Sequence, residues 1–105
     1  MIIQFVQFET ALSEEELFAV AHERAPQFRA LPGLVQKYYL KLDKPNRYGG
    51  FNMWDSQDSL EAFRQSELAK SIPTAYQAVG APQVGIYELM FPLRDELPAQ
   101  ARAIA

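Results

Sequence analysis

The chain has 105 residues, of which 49% are hydrophobic and 22% charged, with a formal net charge of −3. This length matches one domain with one core, and the composition excludes a disordered chain. Its longest apolar runs fall far short of the ~20 residues that cross a bilayer, and its singly scattered basic residues offer nucleic acid no continuous stripe. With zero cysteines there is no disulfide, thiolate nucleophile, zinc-thiolate site or iron-sulfur cluster, and a reducing cytoplasm fits.

Ile2 to Glu9 alternates imperfectly and is bounded by Thr10, which predicts a first strand. Nothing in this stretch has the positive n-region or small-residue cleavage site of a signal peptide, so it reads as part of the mature fold. Ser13-Glu14-Glu15-Glu16 is a capping box with three carboxylates at the positive end of a helix dipole. Leu17, Val20, Ala21, Arg24 and Phe28 then recur on one face of that helix. Pro26 lacks the N–H that would bond the His22 carbonyl, which predicts a kink or loosening near Ala25. Pro32-Gly33 ends the helix.

Leu34 to Leu42 and Tyr48 to Trp54 read as two strands of a hairpin, turned by Asp43 to Arg47 around Pro45 and Asn46. Asp55-Ser56 caps a second helix running to about Ser66, with Leu60 and Phe63 inward. Pro73 interrupts Ser66 to Ala78, which reads as a short helical segment or an ordered loop carrying Ile72 and Tyr76. Gln83 to Met90 is a fourth strand. Residues 92–105 form a tail, in which the Ala-rich stretch from Glu96 has the composition for a last helical turn or two. The order is βαββαβ, an α+β arrangement matching a ferredoxin-like antiparallel sheet with both helices on one face, in a single domain spanning 1–105.

The combination of Pro32-Gly33-Leu34, Lys37, Tyr48-Gly49-Gly50 and Trp54 before an acidic-polar helix start resembles the antibiotic-biosynthesis-monooxygenase-like proteins of the dimeric α+β barrel superfamily. Within it, the chain is most similar to the branch of small monooxygenases with mostly unassigned reactions. The resemblance implies two sheets packed face to face, with a ligand cavity in each subunit between sheet and helices. It also implies a monooxygenase without a cofactor, acting on a small phenolic or polycyclic aromatic substrate.

An independent argument for a partner comes from the strands. Leu34, Gln36, Tyr38, Leu40 and Leu42 share one parity, and Val35, Lys37, Tyr39 and Lys41 the other; the third and fourth strands are likewise apolar on both faces. A sheet with one wet face would alternate more cleanly. So short a chain has too few elements to cover both faces, which predicts a homodimer through the sheet.

Candidate chemistry centres on Asn52 and Trp54, which share one side of the third strand. Trp54, the sole tryptophan, is either an aromatic plug at the strand-helix corner or, as the resemblance implies, a pocket wall for a flat aromatic ligand. Asn52, an amide inside an apolar strand, is either satisfied by a cross-strand neighbour or anchors a ligand oxyanion or carbonyl. Tyr38, Tyr39 and Tyr76 are candidate ligand-contacting phenols among mostly structural rings. Arg24, on an otherwise apolar helix face, either snorkels past the sheet edge or holds an anionic substrate group at the cavity mouth. His22 points away from the apolar face and reads as a solvated surface residue.

The haem-degrading members of the superfamily place a histidine in the second helix about where this chain has Phe63, which cannot ligate iron. No dinucleotide, phosphate-loop, nucleophile-elbow or paired-histidine motif occurs. No cofactor or metal is therefore expected. A non-catalytic binding dimer and an isomerase or decarboxylase on the same fold remain as alternative functions.

Overall fold

The computed structural model describes residues 1–94. Its elements are β1 (Ile2–Thr10), α1 (Glu14–Arg29), β2 (Leu34–Lys41), β3 (Arg47–Trp54), α2 (Gln57–Arg64), α3 (Glu67–Ala75) and β4 (Ala78–Glu88). The four strands form one antiparallel sheet in the order β2-β3-β1-β4, which is the ferredoxin-like topology. The expectation for Glu96 to Ala105 lies outside the described residues.

Each helix begins on a serine. Ser13 accepts from the Glu16 N–H while Glu16 reaches back to the Ser13 N–H, completing the expected capping box. Ser56 caps α2 through the Ser59 N–H. Ser66 starts a helix rather than ending one: it caps α3 by accepting from the Ala69 N–H, and its hydroxyl donates to the Phe63 carbonyl. The ambiguous segment after α2 is thus a helix of nine residues that continues through Pro73.

Two proline-bearing segments have local explanations, and the second differs from the sequence reading. α1 runs through Pro26 to Arg29 without ending. Pro26 and His22 are both exposed, so the carbonyl that loses its partner lies on the wet side of the helix. β4 begins at Ala78, five residues before the expected Gln83, and its first part contains Gly80 at φ +74° and Pro82. Both are tolerated because β4 is an edge strand, and the pairing with β1 shifts between Gln7 and Glu9.

The core lies between sheet and helices in two clusters. Leu12, Leu17, Ala21, Tyr48 and Tyr76 form one. Phe28, Trp54, Leu60 and Phe63 form the other, with Trp54 and Phe63 centroids 5.1 Å apart and Phe28 and Phe63 6.1 Å apart. Gly33, at φ +81°, turns α1 into β2, and its carbonyl accepts from the Asp55 N–H at 2.8 Å. A methyl group there would collide with the Ser59 side chain and come within 2.7 Å of Asp55 Oδ1. Glycine is the residue this turn requires.

The opposite sheet face carries no helix. On it Phe51 lies between Phe5 and Tyr38, with centroids 6.4 and 6.3 Å away, and Tyr38 and Tyr87 are 45% and 58% exposed. Both sheet faces are apolar, as the strand composition predicts. Among the described residues, no helix is long and apolar enough to cross a membrane.

Candidate active site

The strand register sets three polar side chains directly opposite one another on the helix-covered face. Lys37 of β2 faces Asn52 of β3, which faces Gln4 of β1. Lys37 Nζ donates to Asn52 Oδ1 at 3.0 Å, Asn52 Nδ2 donates to Gln4 Oε1 at 3.0 Å, and Trp54 Nε1 donates to that same oxygen at 3.2 Å. Lysine and indole N–H groups are donors only, so the groups at the two ends fix the orientation of both amides between them. Asn52 and Gln4 are buried at 4% and 5% exposure, where an unpaired amide would cost about 1–3 kcal/mol. Their mutual pairing removes that cost.

Above this row is a cavity of about 640 Å³ between sheet and helices, with mostly apolar walls. Gln4, Lys37 and Asn52 belong to its floor, Phe28 and Ile72 to its helical side, and Phe18 and His22 to its exposed rim on α1. Lys37 Nζ lies 4.9 Å from the Phe28 ring centroid and 5.0 Å from that of Tyr39, within the range of cation–π attraction. Burial pulls its pKa down from the usual lysine value to about 8. Burial raises the Tyr76 phenol to about 12, and it also raises Tyr39 against the opposing pull of Arg29 and Arg24. The two phenols are therefore neutral donors near pH 7, and Lys37 is the group on this floor that titrates closest to it.

The structure separates the residues singled out from sequence. Asn52, Tyr39 and Tyr76 line the cavity. Tyr76 is held there by Thr10, whose hydroxyl donates to the Tyr76 carbonyl at 2.6 Å. Trp54 does not reach the cavity wall: at 1% exposure it is sealed against Phe28, Leu60 and Phe63, and it touches the polar row only through its N–H. Tyr38 projects from the uncovered face, away from the cavity, because its parity is opposite to that of Lys37 and Tyr39.

Arg24 is also absent from the cavity wall. Its Nη2 donates to Ser71 Oγ at 2.8 Å and to the Leu68 carbonyl at 3.3 Å, tying α1 to α3, while its buried Nε lacks a partner among the described residues. His22 is exposed as expected, with its ring 5.2 Å from that of Phe18. Gln4 and Lys37 were not singled out as candidates from sequence. The available signal was one polar residue at the same phase of three apolar strands, visible only once their register is known.

Among the described residues, no cluster of histidine and acidic side chains could hold a metal. No family model and no curated protein matches this chain. Solved structures do. A Nitrosomonas europaea protein of unknown function superposes with a TM-score of 0.70 at 23% identity, covering 93% of this chain and 94% of its own. SnoaB, a cofactor-independent oxygenase from Streptomyces nogalater, gives 0.70 at 23% identity over 90% of this chain and 98% of its own. A candidate antibiotic biosynthesis monooxygenase from Caulobacter crescentus gives 0.72 at 16% identity over 86% and 90%. These likenesses show the fold: a ferredoxin-like α+β domain of the kind found in structures named antibiotic biosynthesis monooxygenases.

Proposed function

We propose that this chain is a cofactor-independent monooxygenase that binds a small phenolic or polycyclic aromatic substrate in the cavity between sheet and helices. The observation that carries this reading is a buried amide, Asn52, fixed in orientation on the floor of an apolar cavity. The fold shared with SnoaB supports it. Such chemistry asks little of a protein, because an electron-rich substrate ionised in an apolar site transfers an electron to O₂ itself. The protein contributes orientation, exclusion of water and polar groups placed where charge develops. In this reading Asn52 is the polar anchor, Tyr39 and Tyr76 are wall phenols, and Trp54 positions the floor through Gln4 instead of stacking on the substrate.

The domain acts as a homodimer in this reading. A second copy covers the uncovered sheet face, where Phe5, Tyr38 and Phe51 otherwise meet water. Sedimentation at micromolar concentration then gives twice the chain mass, and a soluble monomer under those conditions removes the dimer.

The catalytic reading is tested with metal-stripped protein in an oxygen electrode, using a panel of anthrones and quinols. Uptake of O₂ above the uncatalysed background is expected, and Asn52→Ala is expected to lower it about a hundredfold. Background uptake across the panel overturns the oxygenase. Lys37, a titratable amine on the cavity floor, favours proton transfer as the second reading. An isomerase or decarboxylase would consume substrate in the same assay without consuming O₂.

A further inference from the structure

A lysine on a cavity wall ordinarily turns its ammonium to water or to a carboxylate. Lys37 does neither. Its Nζ is spent on one neutral acceptor, Asn52 Oδ1 at 3.0 Å, between the faces of two aromatic rings. The carboxylate that the cavity wall does carry, Glu14, is bonded to Lys41 at 2.7 Å at the exposed end. The other charged and titratable groups on the cavity wall are Tyr39 and Lys41 on β2, Tyr48 on β3, His22 and Arg29 on α1, Arg64 on α2, Lys70 on α3 and Tyr76 after it, with Arg24 behind the Phe28 ring at 6.0 Å. None of them is a carboxylate, so among the described residues no anion compensates Nζ. The site has the charge of a complex from which an anion is missing.

We propose that Lys37 accepts the proton of a weakly acidic hydroxyl on the bound ligand and then holds the resulting oxyanion, so that the cavity selects phenols and enols that ionise in place. The proposal rests on the reading of this cavity as an aromatic-ligand site. In the step, the ligand O–H bond breaks, its electron pair stays on oxygen, and the proton moves to the lone pair of neutral Nζ; nothing is oxidised or reduced. One N–H of the new ammonium goes to Asn52 Oδ1 and the others are free for the ligand oxygen. Burial, which brings Nζ down to about 8, leaves a usable fraction of neutral amine near pH 7, and a base is most effective when its pKa lies near the working pH.

The probe is 6-cyano-2-naphthol, a flat weak acid whose anion absorbs at longer wavelength than the neutral form, with its methyl ether as the control that cannot ionise. Near neutral pH, under nitrogen, wild-type protein is expected to bring up the anion band as the naphthol binds. The naphthol should bind about ten- to a hundredfold tighter than the ether, the range of one hydrogen bond to a charged group. Lys37→Met and Lys37→Gln, checked for folding by circular dichroism, are expected to lose both the band and the preference. A wild-type complex that forms with measurable heat but keeps the neutral spectrum overturns the assignment, and this outcome does not depend on how either variant folds. Variants that still ionise the probe overturn it as well. Failure of both naphthol and ether to bind removes the aromatic-ligand reading together with the proposal, whereas binding without ionisation removes the proposal alone.

Discussion

Gly50 makes the space that the Lys37 ammonium occupies. A methyl group on residue 50 would lie 3.0 Å from Lys37 Nζ and 3.7 Å from Asn52 Oδ1. The first of these is too close for Nζ to stay in place, yet it is the mobile end of a flexible side chain that must move. Gly50→Ala is therefore expected to displace the ammonium without breaking the strand. The gain of about 0.5–1 kcal/mol from removing a strand glycine offsets the crowding, so thermal stability should stay within about 1 kcal/mol of wild type. Naphthol ionisation, read from the same absorption band, should fall. A variant that ionises the probe as well as wild type would show that the space is not needed.

Burial of Lys37 also marks the dependence of stability on pH. Its folded pKa of about 8 lies below the ordinary lysine value of 10.5, so between those values the unfolded chain binds the extra proton and stability rises with pH. Below about 8 the cost of burying the ammonium is fully present. Denaturant titrations of wild type and Lys37→Met from neutral pH to about pH 10 should show wild type gaining on the variant by about 1–3 kcal/mol. Parallel curves would mean that Nζ is as well solvated in the fold as outside it.

Trp54→Phe removes part of a fully buried ring and the N–H that Gln4 accepts. A loss of about 1–3 kcal/mol in unfolding free energy is expected from denaturant midpoints. The affinity of the methyl ether probe should barely change, because the indole is not on the cavity wall. A large loss of affinity with little loss of stability would return Trp54 to the role of a ligand-stacking ring.

Gly33→Ala places a methyl group into Ser59 and Asp55 at a left-handed backbone angle. The expected cost is at least about 2 kcal/mol, measured by urea unfolding. Ser59→Ala in the same chain should recover part of it, since the Ser59 side chain supplies the nearest atoms in the collision.

Element order, the Ser13 cap and the hairpin were legible because each is written in neighbouring residues. The signals that misled were also local ones. The fourth strand was expected from Gln83, whereas β4 begins at Ala78 and its edge position accepts Gly80 and Pro82. Ser66 read as an end of α2, whereas a serine can equally begin the next helix. For the site, period-two alternation put Asn52 and Trp54 on one face, but it could not show that Phe28, Leu60 and Phe63 close over Trp54 from other elements. Lys37 was the hardest residue to read. It shares a strand face with Lys41, which is exposed and paired with Glu14, as a surface lysine would be, and only the register with Asn52 distinguishes the two.

The polar row of Lys37, Asn52 and Gln4 runs across three hydrogen-bonded strands, while the opposite side of the cavity comes from α1, α2 and α3. In evolutionary terms the two parts are separable. Substitutions at Phe18 or Ala69, which line the cavity from α1 and α3, can change the size and shape of what fits without touching a backbone ladder or any bond of the row. A lineage carrying this floor could therefore drift from one aromatic ligand to another through single helical substitutions, each tolerated by the fold before it is tested by the ligand.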